Sequence, residues 1–205
     1  MVEAAIPLVT VRTLADNYDT FLLDCDGVLW SGSKPIDQAF EVITWLSKLP
    51  NKKVFFLTNS SGRTRDDYVE KIRKFGFENC TKEMIYGSAY TTARYIKEKY
   101  PDIKKVRVVG MSSICKEMAE VGIESCGGED DEGFSSSISL DDFEAYKLDP
   151  EVKAVVVGLD TSFTYAKLCL ASLYIATGEA RFIATNDDAY DMVNGRKMPG
   201  AGAMV

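Results

Sequence analysis

Short apolar runs alternate with amphipathic helical stretches along the 205 residues, and this alternation predicts an α/β fold with a parallel sheet. Two further observations agree. Polar residues follow the first apolar runs at once, as at the ligand-binding edge of an open sheet. The composition, 46% apolar and 27% charged, is that of a globular chain with a packed core. The length allows one large domain or two modest ones.

Phe21-Leu22-Leu23 entering Asp24 and Val54-Phe55-Phe56-Leu57 entering Thr58 read as buried strands. Between them Ile36, Ala39, Phe40, Ile43 and Leu46 recur at helical spacing behind Pro35, a residue suited to a first helical turn, which completes a β-α-β unit. Thr64 and Asp67 form a capping box opening a helix with Tyr68, Ile72 and Phe75 on one face, and Gly76 ends it. Another helix covers 88–99. After Pro101 a second alternating series runs: strand 106–109, helix 113–121, strand 152–157, helix 165–177, strand 181–185. The stretch 127–150, with its acidic run 129–132, reads as a solvated surface loop and a short helix. From Pro199 to Val205 a turn feeds a new helix.

The net charge of −7 repels nucleic acid backbones and anionic membranes, and no apolar run is long enough to span a bilayer. A phosphorylated small molecule would meet the same repulsion unless a cation or backbone N–H groups offset it locally. Five cysteines at scattered spacing suggest neither a disulfide framework nor a zinc site, and fit reduced thiols in the cytoplasm. The absence of histidine removes Ser-His-Asp hydrolysis, phosphohistidine chemistry and most zinc enzymes.

Asp24-Cys25-Asp26-Gly27-Val28-Leu29-Trp30 places two carboxylates one residue apart at a strand's C-terminal end. One carboxylate can attack phosphorus, and the other can protonate the leaving oxygen and then activate water. Mg²⁺ on carboxylate and backbone oxygens would offset the repulsion between nucleophile and phosphate. An ordinary strand-end turn is the bland reading of this heptapeptide; an EF-hand is excluded by Val28 at its third ligand position. Thr58-Asn59-Ser60-Ser61 ends the second strand, at the same edge if the sheet is parallel, and offers donors to a phosphate. Taken alone it would read as a helix-capping turn.

Four segments in order, FLLDCDGVLW at 21–30, FLTNSSGRTR at 56–65, VVVGLDTSFTYAKL at 155–168 and FIATNDD with NGRKMPGAG at 182–202, resemble the haloacid dehalogenase superfamily. Within it the chain is similar to the phosphoglycolate, 4-nitrophenyl and pyridoxal phosphate phosphatases. The resemblance implies a Rossmann-like core over 1–100, an inserted α/β cap over 101–185 and a return to the core over 186–205. It implies Asp24 as nucleophile and Asp26 as general acid/base, with Mg²⁺ on Asp24 and the Asp26 backbone carbonyl. It further implies phosphate contacts from Gly27, Thr58, Asn59 and Ser60, and a cap able to select a small phosphorylated substrate and to form a homodimer. Ser60 stands where relatives often carry Asn. Asn186 and Asp188 fall in the return segment; a second reading makes Asp187-Asp188 the family's last metal motif.

Relatives continue past the equivalent of Val205 with a Lys and an acidic motif, so the core sheet is expected to be incomplete at its C-terminal side and the chain partial. The function expected is Mg²⁺-dependent phosphomonoester hydrolysis through an aspartyl-phosphate. The rivals are a non-catalytic phosphate-binding or dimerisation module and a dehalogenase, the latter disfavoured by Asp26.

Overall fold

The computed structural model describes residues 10–129, 139–193 and 195–205. They form the expected α/β architecture with parallel sheets, divided into two compact units: 10–57 with 69–85, and 58–68 with 86–129, 139–193 and 195–205.

The first unit opens with α1 (Val11–Asn17), which Thr10 caps by accepting from the Thr13 amide. Strand β1 (Thr20–Asp24) follows, then the short strands β2 (Trp30–Ser31) and β3 (Lys34–Pro35), helix α2 (Ala39–Lys48) and strand β4 (Lys53–Thr58). β1 and β4 are parallel, in a register that pairs Leu23 with Phe56 and Asp24 with Leu57, which is the predicted β-α-β unit. Aromatic rings fill its core. Trp30 and Phe56 are fully buried; Phe75 lies 6.0 Å from Trp30 and 5.3 Å from Phe40 between ring centroids, and Phe77 packs on Phe56.

Two expectations fail here. β1 is not a buried strand: its residues alternate between exposed and half-buried, and Leu22 is 63% exposed. Among the described residues β1 is an outer strand of the sheet β1-β4-β5, with a neighbour on one side. Pro35 does not start α2. It pairs with Trp30 in the antiparallel β2/β3 hairpin, and α2 begins four residues later. Proline suits such a short outer strand because it has no amide to donate.

Helix α3 (Arg65–Lys74) follows the predicted capping box: Thr64 N donates to Asp67 Oδ2 at 2.9 Å and Asp67 N to Thr64 Oγ1 at 3.2 Å. Strand β5 (Ile85–Gly87) runs directly into α4 (Ser88–Lys99), whose bounds are those predicted.

The second unit is a four-stranded parallel sheet. Its elements are β6 (Lys105–Val109), α5 (Ser112–Glu120), β7 (Glu124–Gly127), α6 (Leu140–Ala145), β8 (Val152–Val157), α7 (Tyr165–Ala176) and β9 (Arg181–Ala184). The hairpin β10 (Tyr190–Val193) and β11 (Arg196–Pro199) follows. The strand order is β7-β6-β8-β9. β6 and β8 occupy the centre and are buried almost throughout, as continuous Val-rich runs require. Met118, Ile114, Ile123 and Ile96 cover one face; Val152, Val155, Ala171 and Tyr174 pack on the other. The hairpin and β7 were not predicted. Most of the acidic run lies outside the described residues, and α6 supplies the short helix, with Ser139 and Asp142 as its capping box.

Candidate active site

Asp24 is the last residue of β1, and the chain then turns so that Asp24 and Asp26 are exposed while Cys25 between them is buried. The Cys25 carbonyl anchors the turn by accepting from the amides of Val28, Leu29 and Trp30, and Gly27 N donates to Trp30 O at 2.7 Å. Gly27 holds φ +81°, a left-handed conformation that glycine adopts without Cβ strain. The indole of Trp30 reaches back to Asp26 Oδ1 at 2.6 Å. Alternation along the extended chain therefore sends both carboxylates to solvent and the thiol inward.

Cys25 is a structural thiol. Burial, then the charges of Asp26 and Asp24, push its ionisation far above the ordinary range, so it stays protonated beside the two carboxylates. The donors left to a cation are the oxygens of Asp24, Asp26 and the local backbone, the hard set that suits Mg²⁺ and not zinc. Among the described residues no group of three or more His, Cys, Asp or Glu gathers to hold a metal.

Sequence reasoning missed Lys71. Its ammonium lies 4.0 Å from the centre of the Trp30 ring and donates to Gly32 O at 3.2 Å, and its charge acts on Cys25. The available signal was its place on α3, one residue before Ile72 and four before Phe75 on the predicted apolar face.

The other predicted residues gather in the second unit. Thr58 ends β4; its Oγ1 accepts from Ser60 N at 3.2 Å, and Ser60 Oγ accepts from Gly62 N at 3.3 Å, so the hydroxyls shape a tight turn. Asn59 is exposed at its tip. The structure brings Asn186 and Asp188 to it: Asn186 Nδ2 donates to Asn59 O at 2.7 Å, Asn59 Nδ2 donates to Asp188 Oδ2, and Asp188 N donates to Asn186 Oδ1 at 3.0 Å. Gly200 and Gly202 buttress this corner. A Cβ on Gly200 would strike the Asp188 carbonyl and one on Gly202 the Asp187 carbonyl, so the Gly-x-Gly pair serves close backbone approach. Lys197 lies in β11, over the Tyr190 ring at 4.2 Å.

The site residues thus form two groups: Asp24, Asp26 and Gly27 in the first unit, and Thr58, Asn59, Ser60, Asn186 and Asp188 in the second.

The chain is similar to known phosphatases. The chain is 40% identical over 195 residues to a 4-nitrophenylphosphatase of Schizosaccharomyces pombe, covering 94% of this chain and 64% of that protein. It is 39% identical over 198 residues to phosphoglycolate phosphatase 2 of Arabidopsis thaliana, covering 95% and 64%. A glycerol phosphate phosphatase of Mycobacterium tuberculosis, solved in complex with magnesium, superposes with a TM-score of 0.71 at 27% identity, covering 93% of this chain and 51% of that one. The chain therefore spans about two thirds of the length of these curated relatives. The profile described as haloacid dehalogenase-like hydrolase matches residues 21–124, half of the sequence, and the chain belongs to that family.

Proposed function

We propose that this chain carries the nucleophilic half of a Mg²⁺-dependent phosphomonoesterase acting on a small phosphorylated metabolite, of the phosphoglycolate or 4-nitrophenyl phosphate kind. The observation that carries the reading is the pair of exposed carboxylates, Asp24 and Asp26, flanking a buried protonated thiol at the end of a parallel strand. The names of the two curated relatives support the substrate class.

Asp24 Oδ attacks phosphorus, a P–O bond to Asp24 forms and the P–O bond to the leaving group breaks. Asp26 gives its proton to the leaving oxygen. In the second step Asp26 takes a proton from water, which attacks phosphorus and releases Asp24 and inorganic phosphate. Trp30 fixes the rotamer of Asp26 for both transfers. Thr58, Asn59 and Ser60 hold the phosphate oxygens. Asp24 and the backbone carbonyl of Asp26 would hold Mg²⁺, which supplies charge neutralisation when bound.

In this reading residues 1–100 belong to the catalytic core, 101–185 to an inserted cap through which the protein dimerises, and 186–205 to the return. The free state of all five cysteines supports a reducing cytoplasmic setting, and the acidic charge argues against nucleic acid as a partner. Among the described residues no helix is long and apolar enough to cross a membrane.

The test is hydrolysis of 4-nitrophenyl phosphate with Mg²⁺. Asp24→Asn should lower turnover by at least about a thousandfold; equal turnover would rule the reading out. The second reading, a phosphate-binding module without turnover, draws on the lack of a third acidic ligand among the described residues. Phosphate binding with no hydrolysis by the parent chain would favour it.

A further inference from the structure

In an open parallel sheet the ligand-binding crevice lies outside the carboxyl ends of the two strands where the winding reverses. In the second unit the chain leaves β6 toward β7 on one side and leaves β8 toward β9 on the other, so the reversal falls between β6 and β8. The segments that follow these strands are Gly110-Met111 and Gly158-Leu159, joined by Met111 N donating to Leu159 O at 2.8 Å.

That crevice holds Ser61 of this same chain. Ser61 is 1% exposed. Its Oγ accepts from Leu159 N at 3.2 Å, and its carbonyl accepts from Ser113 Oγ, at the start of α5, at 2.6 Å. The lack of a side chain at Gly158 makes the room: a Cβ there would lie 2.8 Å from Ser61 Oγ and 2.6 Å from Ile114 Cδ1. Four residues on, a second grip follows. Glu117 of α5, only 2% exposed, accepts from Arg65 N at 2.7 Å and from Arg65 Nε at 3.0 Å, while the Arg65 guanidinium lies 3.6 Å from the centre of the Tyr90 ring. Both grips come from one face of α5, since Ser113 and Glu117 are four residues apart.

We infer that α5 and the reversal point of the second sheet form a clamp that sets the geometry of the phosphate-binding turn 58–62, with Ser61, Ser113 and Glu117 as its positioning residues. The inference rests on the proposed role of Thr58 and Asn59. Those two residues are three and two positions before Ser61, so a shift of the gripped serine displaces their donors. A buried carboxylate that takes both a backbone and a guanidinium N–H is stiff, and it holds the far end of the turn at the first residue of α3. The turn is then preorganised before phosphate arrives, which lowers the ordering cost of binding.

The experiment uses the full 205-residue chain, with amide hydrogen exchange and calorimetric titration of inorganic phosphate on the parent, Ser113→Ala and Glu117→Gln. Amides 60–65 should exchange at least about tenfold faster in both variants while those of β6 and β8 keep their protection. The phosphate Kd should rise about three- to tenfold. Parent-like exchange of the turn in Ser113→Ala overturns the clamp, as does acceleration that β6 and β8 share equally. A loosened turn with unchanged phosphate Kd overturns the positioning role. Should Glu117→Gln fail to fold, Ser113→Ala decides alone. If the parent binds no phosphate, the proposed function of the turn fails while exchange still judges the clamp.

Discussion

The indole N–H of Trp30 donates to Oδ1 of Asp26 at 2.6 Å, so the largest fully buried side chain of the first unit holds one carboxylate of the exposed Asp24/Asp26 pair. Four residues separate them, and the turn anchored on the Cys25 carbonyl brings them together. Trp30→Phe keeps most of the buried ring and removes the donor. We expect kcat to fall about tenfold, the equivalent of about 1.4 kcal/mol, with little change in KM, as steady-state kinetics on 4-nitrophenyl phosphate would measure.

A buried ion pair secures the helix that follows β8. Lys167 Nζ lies 2.8 Å from Asp160 Oδ2, with side-chain exposures of 8% and 0%, and Asp160 Oδ1 accepts from Ser162 N at 2.8 Å. Asp160→Asn leaves the ammonium buried without its counter-charge, at a cost of about 3 kcal/mol. The melting temperature should drop by roughly 6–12 °C in calorimetry. Replacing both partners by Leu and Met should recover much of that loss, since the pair also carries the cost of desolvating two charges.

The capping box of α3 sets a smaller expectation. Burial raises the Asp67 carboxyl, but the two hydrogen bonds it shares with Thr64, together with the charges of Lys116 and Arg63, outweigh burial and hold it below its ordinary range. A carboxyl lowered on folding adds stability above its unfolded pKa of 3.8, and that stability is lost as pH falls through the folded value. Thr64→Ala should cost about 1 kcal/mol at neutral pH and flatten the acid limb of the stability curve below pH ~4, as urea titration at several pH values would show.

Cys80 behaves in the opposite sense. Burial pushes its thiol from 9.0 up to about 11, against the opposing charge of Arg73. Its contribution is complete below pH 9.0 and is lost as pH rises toward about 11. Cys80→Ala should therefore show a shallower decline in stability across that window than the parent does, whatever its stability at neutral pH.

The alternating α/β plan, the parallel pairing of β1 and β4, the α3 capping box and the bounds of α4 were legible because each rests on local periodicity or on residues three apart. The carboxylate pair was legible for the same reason. The hairpin of β2 and β3 was not: two-residue strands carry no period, and Pro35 suits a helix start and an outer strand alike. β7 reads Glu-Ser-Cys-Gly, with too few apolar residues to mark a strand, and owes its place to pairing with β6. Leu22 read as core because an apolar run shows which residues could be buried, not whether a neighbouring strand is there to cover them. The contacts of Ser61 with Ser113 and Leu159 span 52 and 98 positions, and no local pattern anticipates partners so distant.

The serine lodged between β6 and β8 bears on what the second sheet can recognise. A doubly wound sheet ordinarily keeps that seat open for a nucleotide or cofactor from outside. Here the guest is a piece of the host, delivered at an effective concentration no free metabolite can match. The sheet has become a receptor for its own polypeptide, and a small molecule competing for the seat would first have to evict a residue that never diffuses away.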